Sequence, residues 1–336
     1  MYPAVVKRYR NEALDITKFI RMHKYELLGM EGTIVNLVTS VVVTFNRKKY
    51  LEENLNALLS QKDADTDIIV VDNASTDGTE ALVKRFISSY PNRIHYINTQ
   101  KNLGGAGGFN IGIKEAIKCG YKYAWIMDDD SIPEVRALSS LINKAEVLRD
   151  NFSFLGSIVL WTNGEIHPMN KISVNNHIYD DIDAVRNNNL IRIGNCSFVG
   201  CFLNLYYAKQ TFLPITEFFI YGDDAEYTLR LAHFAKSYLD LDSIIVHKTP
   251  TKDVGLIEKE MPERLARYYY KYRNNIYIRR RQSKKAVLKY LFVAFTDALR
   301  IIKTHNKYKI KRIYILAKGC ISGMFFNPKL EMPESE

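Results

Sequence analysis

Residues 37–47 read Leu37-Val38-Thr39-Ser40-Val41-Val42-Val43-Thr44-Phe45-Asn46-Arg47, a β-branched apolar run that ends abruptly in polar side chains. A run of this kind marks a strand covered on both faces, as in a parallel sheet between helical layers. Outward from it the chain repeats the figure. A helical stretch over 50–61 carries Leu51, Leu55, Leu58 and Leu59 on one face and leads to a second buried strand at 67–71. The loop 72–78, a helix over 79–90, a strand over 93–98, a glycine-rich turn and a helix over 109–119 follow. A fourth strand at 123–127 then runs straight into Asp128-Asp129-Asp130. Four strands alternating with three helices predict an α/β fold, Rossmann-like, with a mostly parallel sheet flanked by helices.

Ligands of such sheets sit beyond the carboxyl ends of the strands. All four ends here carry polar or glycine-rich chemistry: Thr44, Asn46 and Arg47; Asp72 and Asn73; Asn102, Gly104 and Gly105 within 102–110; and the triple aspartate. Three adjacent carboxylates repel one another unless a cation holds them, and hard oxygen ligands favour Mg2+ or Mn2+. Strand alternation turns Asp128 and Asp130 to one side and Asp129 to the other, and Asp129 joins the donor-binding candidates. The plainer reading is an acidic turn that caps the next helix, expected over 133–150, since Ser131 and Pro133 suit a helix start.

The glycine-rich segment lets backbone approach a ligand, with N–H groups at a helix start open to phosphate or ribose. It is not a dinucleotide fingerprint, because the GxGxxG spacing fails and it follows the third strand. Nor is it a phosphate loop, because no GK[ST] closes it. Asp72 ends a strand where an acid can bond a ribose or a base edge. Asp77 reads as a helix start and nothing more.

Farther on, 154–160 reads as a strand and the asparagine-rich 162–189 as an excursion over the site. Asp223 and Glu226 have the spacing of a capping box at the start of a helix over 223–234. That box does not require Asp224, and a carboxylate beside a bound cation can act as general base. His247 ends a strand over 238–246 and precedes 249–263, a segment expected to be mobile and long enough to close over a ligand. A lone histidine is more often structural than ligating.

Cys119, Cys196, Cys201 and Cys320 show neither zinc-like pairing nor a disulfide framework, which points to a reducing, cytoplasmic setting. Charged residues interrupt the first stretch of the chain, so it lacks the apolar core of a signal peptide. Between Arg264 and Lys318 stand 17 Lys/Arg against the single acid Asp297, a net +16, while the rest of the chain carries −6. Three parts are expected: an extension over 1–36, a sheet domain over 37–260 and a basic helical region over 261–336. The charge asymmetry points to an anionic surface. Residues 286–302 are apolar but too short and too charged for a membrane span, and suit a helix lying among headgroups. An ordinary helical subdomain with a solvated basic face stands equally.

Taken jointly and in order, the strand with Thr44-Phe45-Asn46-Arg47, Val70-Val71-Asp72-Asn73, Asn102-Leu103-Gly104-Gly105, Trp125-Ile126-Met127-Asp128-Asp129-Asp130 and Gly222-Asp223-Asp224-Ala225-Glu226 resemble glycosyltransferase family 2, with the GT-A fold. Within it the chain is most similar to bacterial galactofuranosyltransferases, whose relatives include rhamnosyltransferases. The resemblance covers about residues 37–280. It implies inversion at the sugar, Asp128, Asp130 and His247 as ligands to Mn2+ or Mg2+, and Asp224 as catalytic base. Thr44, Asp72 and the loop from Asn102 would hold a UDP- or dTDP-sugar, and the acceptor would be a glycan or lipid-linked glycan. The basic C-terminal helices would suit such a lipid-carried acceptor, with the enzyme at the inner face of the plasma membrane. Two departures stand out: Gly222 where the galactan enzymes have tryptophan, and a short segment where they have a large N-terminal β domain.

Two rival classes explain less. A nucleotidyltransferase would show a glycine-rich, basic phosphate grip near the first strand, which 44–47 is not. A nucleic-acid-binding protein would explain the basic tail and leave the four polar strand ends unexplained. No nucleic-acid partner is expected.

Overall fold

The computed structural model describes residues 37–170, 172, 181–250 and 255–333. The expected extension over 1–36 lies outside them. In chain order the first half runs β1 (Val38–Thr44), α1 (Lys48–Leu59), β2 (Asp67–Asp72), α2 (Thr79–Ser89), β3 (Ile94–Asn98), α3 (Gly104–Lys118), β4 (Tyr123–Asp128), β5 (Ser131–Pro133), α4 (Ala137–Val147) and β6 (Phe154–Leu160). The second half runs α5 (Ile182–Asn188), β7 (Leu190–Ile193), β8 (Cys201–Asn204), α6 (Leu205–Ala208), α7 (Asp223–Leu231), β9 (Ser237–His247), α8 (Arg267–Gln282), α9 (Lys284–Lys303) and α10 (Lys309–Phe325).

β1 is buried along its whole length. Its side chains alternate between two cores: Val38 and Val42 pack with Leu51, Leu55 and Leu58 of α1, and Val41 and Val43 with Phe109 and Ile113 of α3. This two-sided burial is why the run carries no apolar–polar alternation. The sheet order is β3-β2-β1-β4-β8-β6-β9-β5, with β7 also on β9. β3, β2, β1 and β4 are parallel, and β8 turns the sheet antiparallel. The winding reverses between β1 and β4, so the crevice opens there. Register aligns the strand ends along one edge, with Thr44 beside Asp72, Asp72 beside Asn98 and Val43 beside Asp128.

Three expectations are corrected. The helix expected from residue 133 begins at Ala137, and Ser131–Pro133 is instead a strand antiparallel to β9, pairing Ser131 with His247. The glycine-rich segment is not a turn before a helix at 109; it is the first turns of α3 itself. Close packing outweighs the low helix propensity of glycine here. A Cβ on Gly108 would lie 2.5 Å from Val43 Cγ1, and one on Gly112 would collide with Val41 Cγ1. The capping box of Asp223 and Glu226 does not form either. Gly222 at φ +84° precedes α7 without a side-chain cap, and Glu226 binds Arg230 through both oxygens.

α8, α9 and α10 share a third core around Tyr268, Tyr272, Ile276, Ile301 and Ile315. Gly319 and Gly323 bring α10 so near α8 that a Cβ would meet the Tyr269 and Arg273 carbonyl oxygens at 2.8 and 2.6 Å. Among the described residues no helix is long and apolar enough to cross a membrane.

Candidate functional site

β4 delivers Asp128 to the crevice, and the β5–β9 pair brings His247 to it from the far side of the sheet. One ligand atom from each of Asp128, Asp130 and His247 lies within 4.8 Å of the others. His247 Nε2 stands 3.2 Å from Asp130 Oδ1, and both residues are buried. Burial, then the charges of Asp130 and Asp129, push Asp128 well above the usual carboxylate range. Burial also works against Asp130, but His247 and then Arg47 outweigh it and hold that carboxyl low.

Asp129 turns away from this group. Thr44 Oγ1 donates to its Oδ2 at 2.7 Å, and Arg47 reaches its Oδ1 at 3.4 Å while also pairing with Asp130 Oδ2. Burial lifts Asp129 to about 7, with Arg47 pulling the other way. Burial opposes the charge of Arg47, yet Asp130, Asp129 and Asp128 together raise its pKa above the ordinary value.

The other strand-end candidates knit their loops together. Asn46 Oδ1 accepts from Thr76 N (2.7 Å), and Asp72 accepts from Ser75 N (2.8 Å) and Tyr96 Oη (2.6 Å). Asn73 Nδ2 donates to the Gly104 carbonyl (3.0 Å), and Asn102 Oδ1 accepts from Gly104 N (2.8 Å). Gly104, at φ +71°, leaves no room for a side chain: a Cβ would run into the Phe219 carbonyl. Asp77, read as a helix start, serves two, accepting from Lys48 N and Thr79 N.

Asp223 and Asp224 open α7. Asp223 is buried and lifted to about 8, by burial first and the Asp224 charge second. Its Oδ2 faces Gly105 at the start of α3, and its charge is among the causes that raise Asp128. Asp224 is half-buried, accepts from Ala225 N at 2.7 Å, and is raised by burial. The loop before them is strained: Phe219, Tyr221 and Gly222 have φ of +62°, +68° and +84°. Left-handed backbone at two aromatic residues persists only where surroundings impose it.

α8 imposes it. The fully buried Asn274 donates through Nδ2 to the carbonyls of Phe218 (2.9 Å), Ile220 (3.1 Å) and Tyr221 (2.8 Å). Arg273 supports it, donating to Asn274 Oδ1 at 3.0 Å and to the Glu217 carbonyl. Tyr270 stacks on Phe219, with ring centroids 4.9 Å apart.

Asn274 carried no motif, and neither did Asn170 or His167 in the asparagine-rich excursion. Asn170 Nδ2 donates to Ser197 Oγ (2.8 Å), which presents its Oδ1 to His247 Nδ1 at 2.9 Å. His167 is buried against the His247 ring, centroids 4.9 Å apart, and its Nε2 pairs with Thr249 Oγ1 at 2.8 Å.

The donor set fits a hard divalent cation. With Nδ1 bonded to Asn170 Oδ1, Nε2 is the ring nitrogen left on the Asp130 side, where a cation between them would take it as a ligand. Asp130 Oδ1, buried there, accepts no well-formed hydrogen bond. Two carboxylates and one imidazole nitrogen match the ligand preferences of Mn2+ and accept Mg2+.

The model of the glycosyl transferase family 2 matches residues 39–202. The galactofuranosyltransferase GlfT1 of Mycolicibacterium smegmatis is 35% identical over 114 residues, covering 34% of this chain and 36% of that protein. The dTDP-rhamnosyl transferase RfbG of Shigella flexneri is 35% identical over 92 residues, covering 27% and 32%. The match thus spans about a third of the length of these curated relatives. A mannosyltransferase from Pyrobaculum calidifontis, solved with GDP-Man and Mn2+, superposes with a TM-score of 0.52 at 14% identity, over 96% of each chain. At residues 39–202, on a GT-A fold, this chain therefore carries a domain of glycosyl transferase family 2.

Proposed function

We propose that the chain is an inverting, metal-dependent glycosyltransferase of bacterial cell-surface polysaccharide synthesis. The donor in this reading is UDP-galactofuranose, and the acceptor is a hydroxyl of a glycan or lipid-linked glycan. The observation that carries it is the convergence of Asp128, Asp130 and His247 at the β1–β4 crevice, with Asp223, the chain neighbour of Asp224, near enough for its charge to act on Asp128. The galactofuranosyltransferase relative supports the choice of sugar.

Asp128, Asp130 and His247 would hold Mn2+ or Mg2+, which when bound supplies positive charge to the diphosphate of the donor. Thr44, Asn46, Arg47, Asp72, Asn73, Asn102, Gly104, Gly105 and Asp129 line the nucleotide side. Asp224 takes the proton of the acceptor hydroxyl as that oxygen attacks the sugar carbon opposite the leaving diphosphate. A single displacement of this kind inverts the anomeric centre. The loop 218–222, fixed by Asn274, sets where that base stands.

A second reading, rhamnosyl transfer from dTDP-rhamnose, is favoured by the rhamnosyl transferase relative. In either reading the basic C-terminal region meets an anionic membrane surface at the cytoplasmic face. The deciding experiment is a panel of UDP- and dTDP-sugars, UDP-galactofuranose and dTDP-rhamnose included, scored for metal-dependent release of nucleotide. Release from one sugar names the donor. Release from none, with binding of nucleic acid instead, refutes the transferase.

A further inference from the structure

α9 carries two apolar seams offset by one residue, about 100° around the helix. Val287, Leu291, Ala294, Ala298 and Ile301 enter the core shared with α8 and α10. Leu288, Phe292, Phe295, Leu299 and Ile302 follow the same alternating spacing of four and three, and all face solvent, Phe292 at 68% exposure. α10 repeats the device: Ile310, Tyr314, Ile321 and Met324 keep that spacing on its outward side, with Ile310 at 86% and Phe325 beside them at 81%. Exposed apolar seams of this length are rare on a surface that meets only water.

The charges around the seams select the occupant. Lys284, Lys285, Lys289 and Lys303 flank the α9 seam, and Lys311 and Lys318 flank that of α10. The only acid of the two helices, Asp297, is buried and bonded to Tyr272 Oη at 2.9 Å. A second copy of the chain would bring like charge against like charge. A lipid surface with anionic headgroups accepts both the apolar side chains and the lysines, whose stems lie along apolar surface while the ammonium stays with the headgroups.

We propose that the outward sides of α9 and α10 form a contact face for an anionic lipid bilayer, an inference that rests on the membrane reading above and names its side chains. The face also bears on the acceptor. α8 touches the loop 218–222 through Asn274 and packs against α9 and α10 through Tyr272 and Ile276. At about 10 Å per helix layer, the loop 218–222 stands on the order of 20 Å from the outer side of α9 and α10. A lipid-carried acceptor lies within reach of a protein docked on this face.

The test uses the full chain and vesicles of phosphatidylcholine with or without an equal amount of phosphatidylglycerol. Flotation with the anionic vesicles, weakened by salt, is expected for the wild type. It should fall by about tenfold or more in Leu288→Glu/Phe292→Glu/Phe295→Glu, which removes apolar contacts and adds repelling charge. These side chains meet solvent, so melting temperature and nucleotide release should stay unchanged in that variant. Absence of wild-type flotation, or equal flotation of the variant, overturns the face. Self-association that the variant abolishes, without vesicle binding, overturns it too. Salt-sensitive flotation lost in the variant, from a wild type that releases no nucleotide, upholds the face and refutes the transferase reading alone.

Discussion

Asn170 Oδ1 lies 2.9 Å from His247 Nδ1, and on the other side of the same ring Nε2 stands 3.2 Å from Asp130 Oδ1. The asparagine therefore sets the tautomer that a metal-ligating histidine requires. Asn170→Ala is expected to lower Mn2+ affinity by about 10- to 100-fold, the usual effect of losing such a partner. Calorimetric titration of the protein with Mn2+ alone checks this. Unchanged affinity would mean that the ring is held by packing against His167.

Asp224 and Asp223 are separable. Asp224→Asn should abolish transfer, by at least about 10²-fold, while donor binding persists, because a general base contributes on that scale. Asp223→Asn is expected to act on the cation, since the charge of Asp223 is felt at Asp128. Single-turnover transfer beside donor binding measures both. Near-normal transfer in Asp224→Asn with loss in Asp223→Asn would move the base to the neighbouring residue.

The grip of Asn274 on three carbonyls makes α8 part of the site. Asn274→Leu should destabilise the protein by about 1–3 kcal/mol, the cost of leaving buried carbonyls unpaired. Transfer should fall further than donor binding, and amide exchange over 218–224 should quicken. Unchanged exchange there would show that the strained loop is held from the α3 side.

Much of this was legible in the sequence, and for physical reasons. A strand buried on both faces has no choice but a run such as Val41-Val42-Val43, and the switch point puts chemistry at strand ends. The glycines of α3 read as a turn because spacing reports that a Cβ is missing, not what fills its place; here it is Val43 and Val41 of β1. Ser131–Pro133 looked like a helix start because its partner strand lies more than a hundred residues away. Asn170 and Asn274 left no trace at all. Each acts on backbone or ring atoms 53 to 77 residues distant, and a lone asparagine has no pattern.

The close packing of α3 on β1 has its own test. Gly112→Ala should destabilise by about 1–3 kcal/mol, as overpacking does. Adding Val41→Ala should restore part of the loss, since Val41 Cγ1 is the group the new methyl meets. Urea denaturation of both singles and the double gives the coupling. Simple additivity would contradict direct contact across this interface.

The central claim is a cation held by Asp128, Asp130 and His247 in the service of transfer. Release of UDP from UDP-galactofuranose, followed before and after EDTA and again after Mn2+ or Mg2+, measures it most directly. Loss on chelation, recovery with the metal, and no recovery in Asp130→Asn are the predicted results. Release that ignores EDTA would contradict the account.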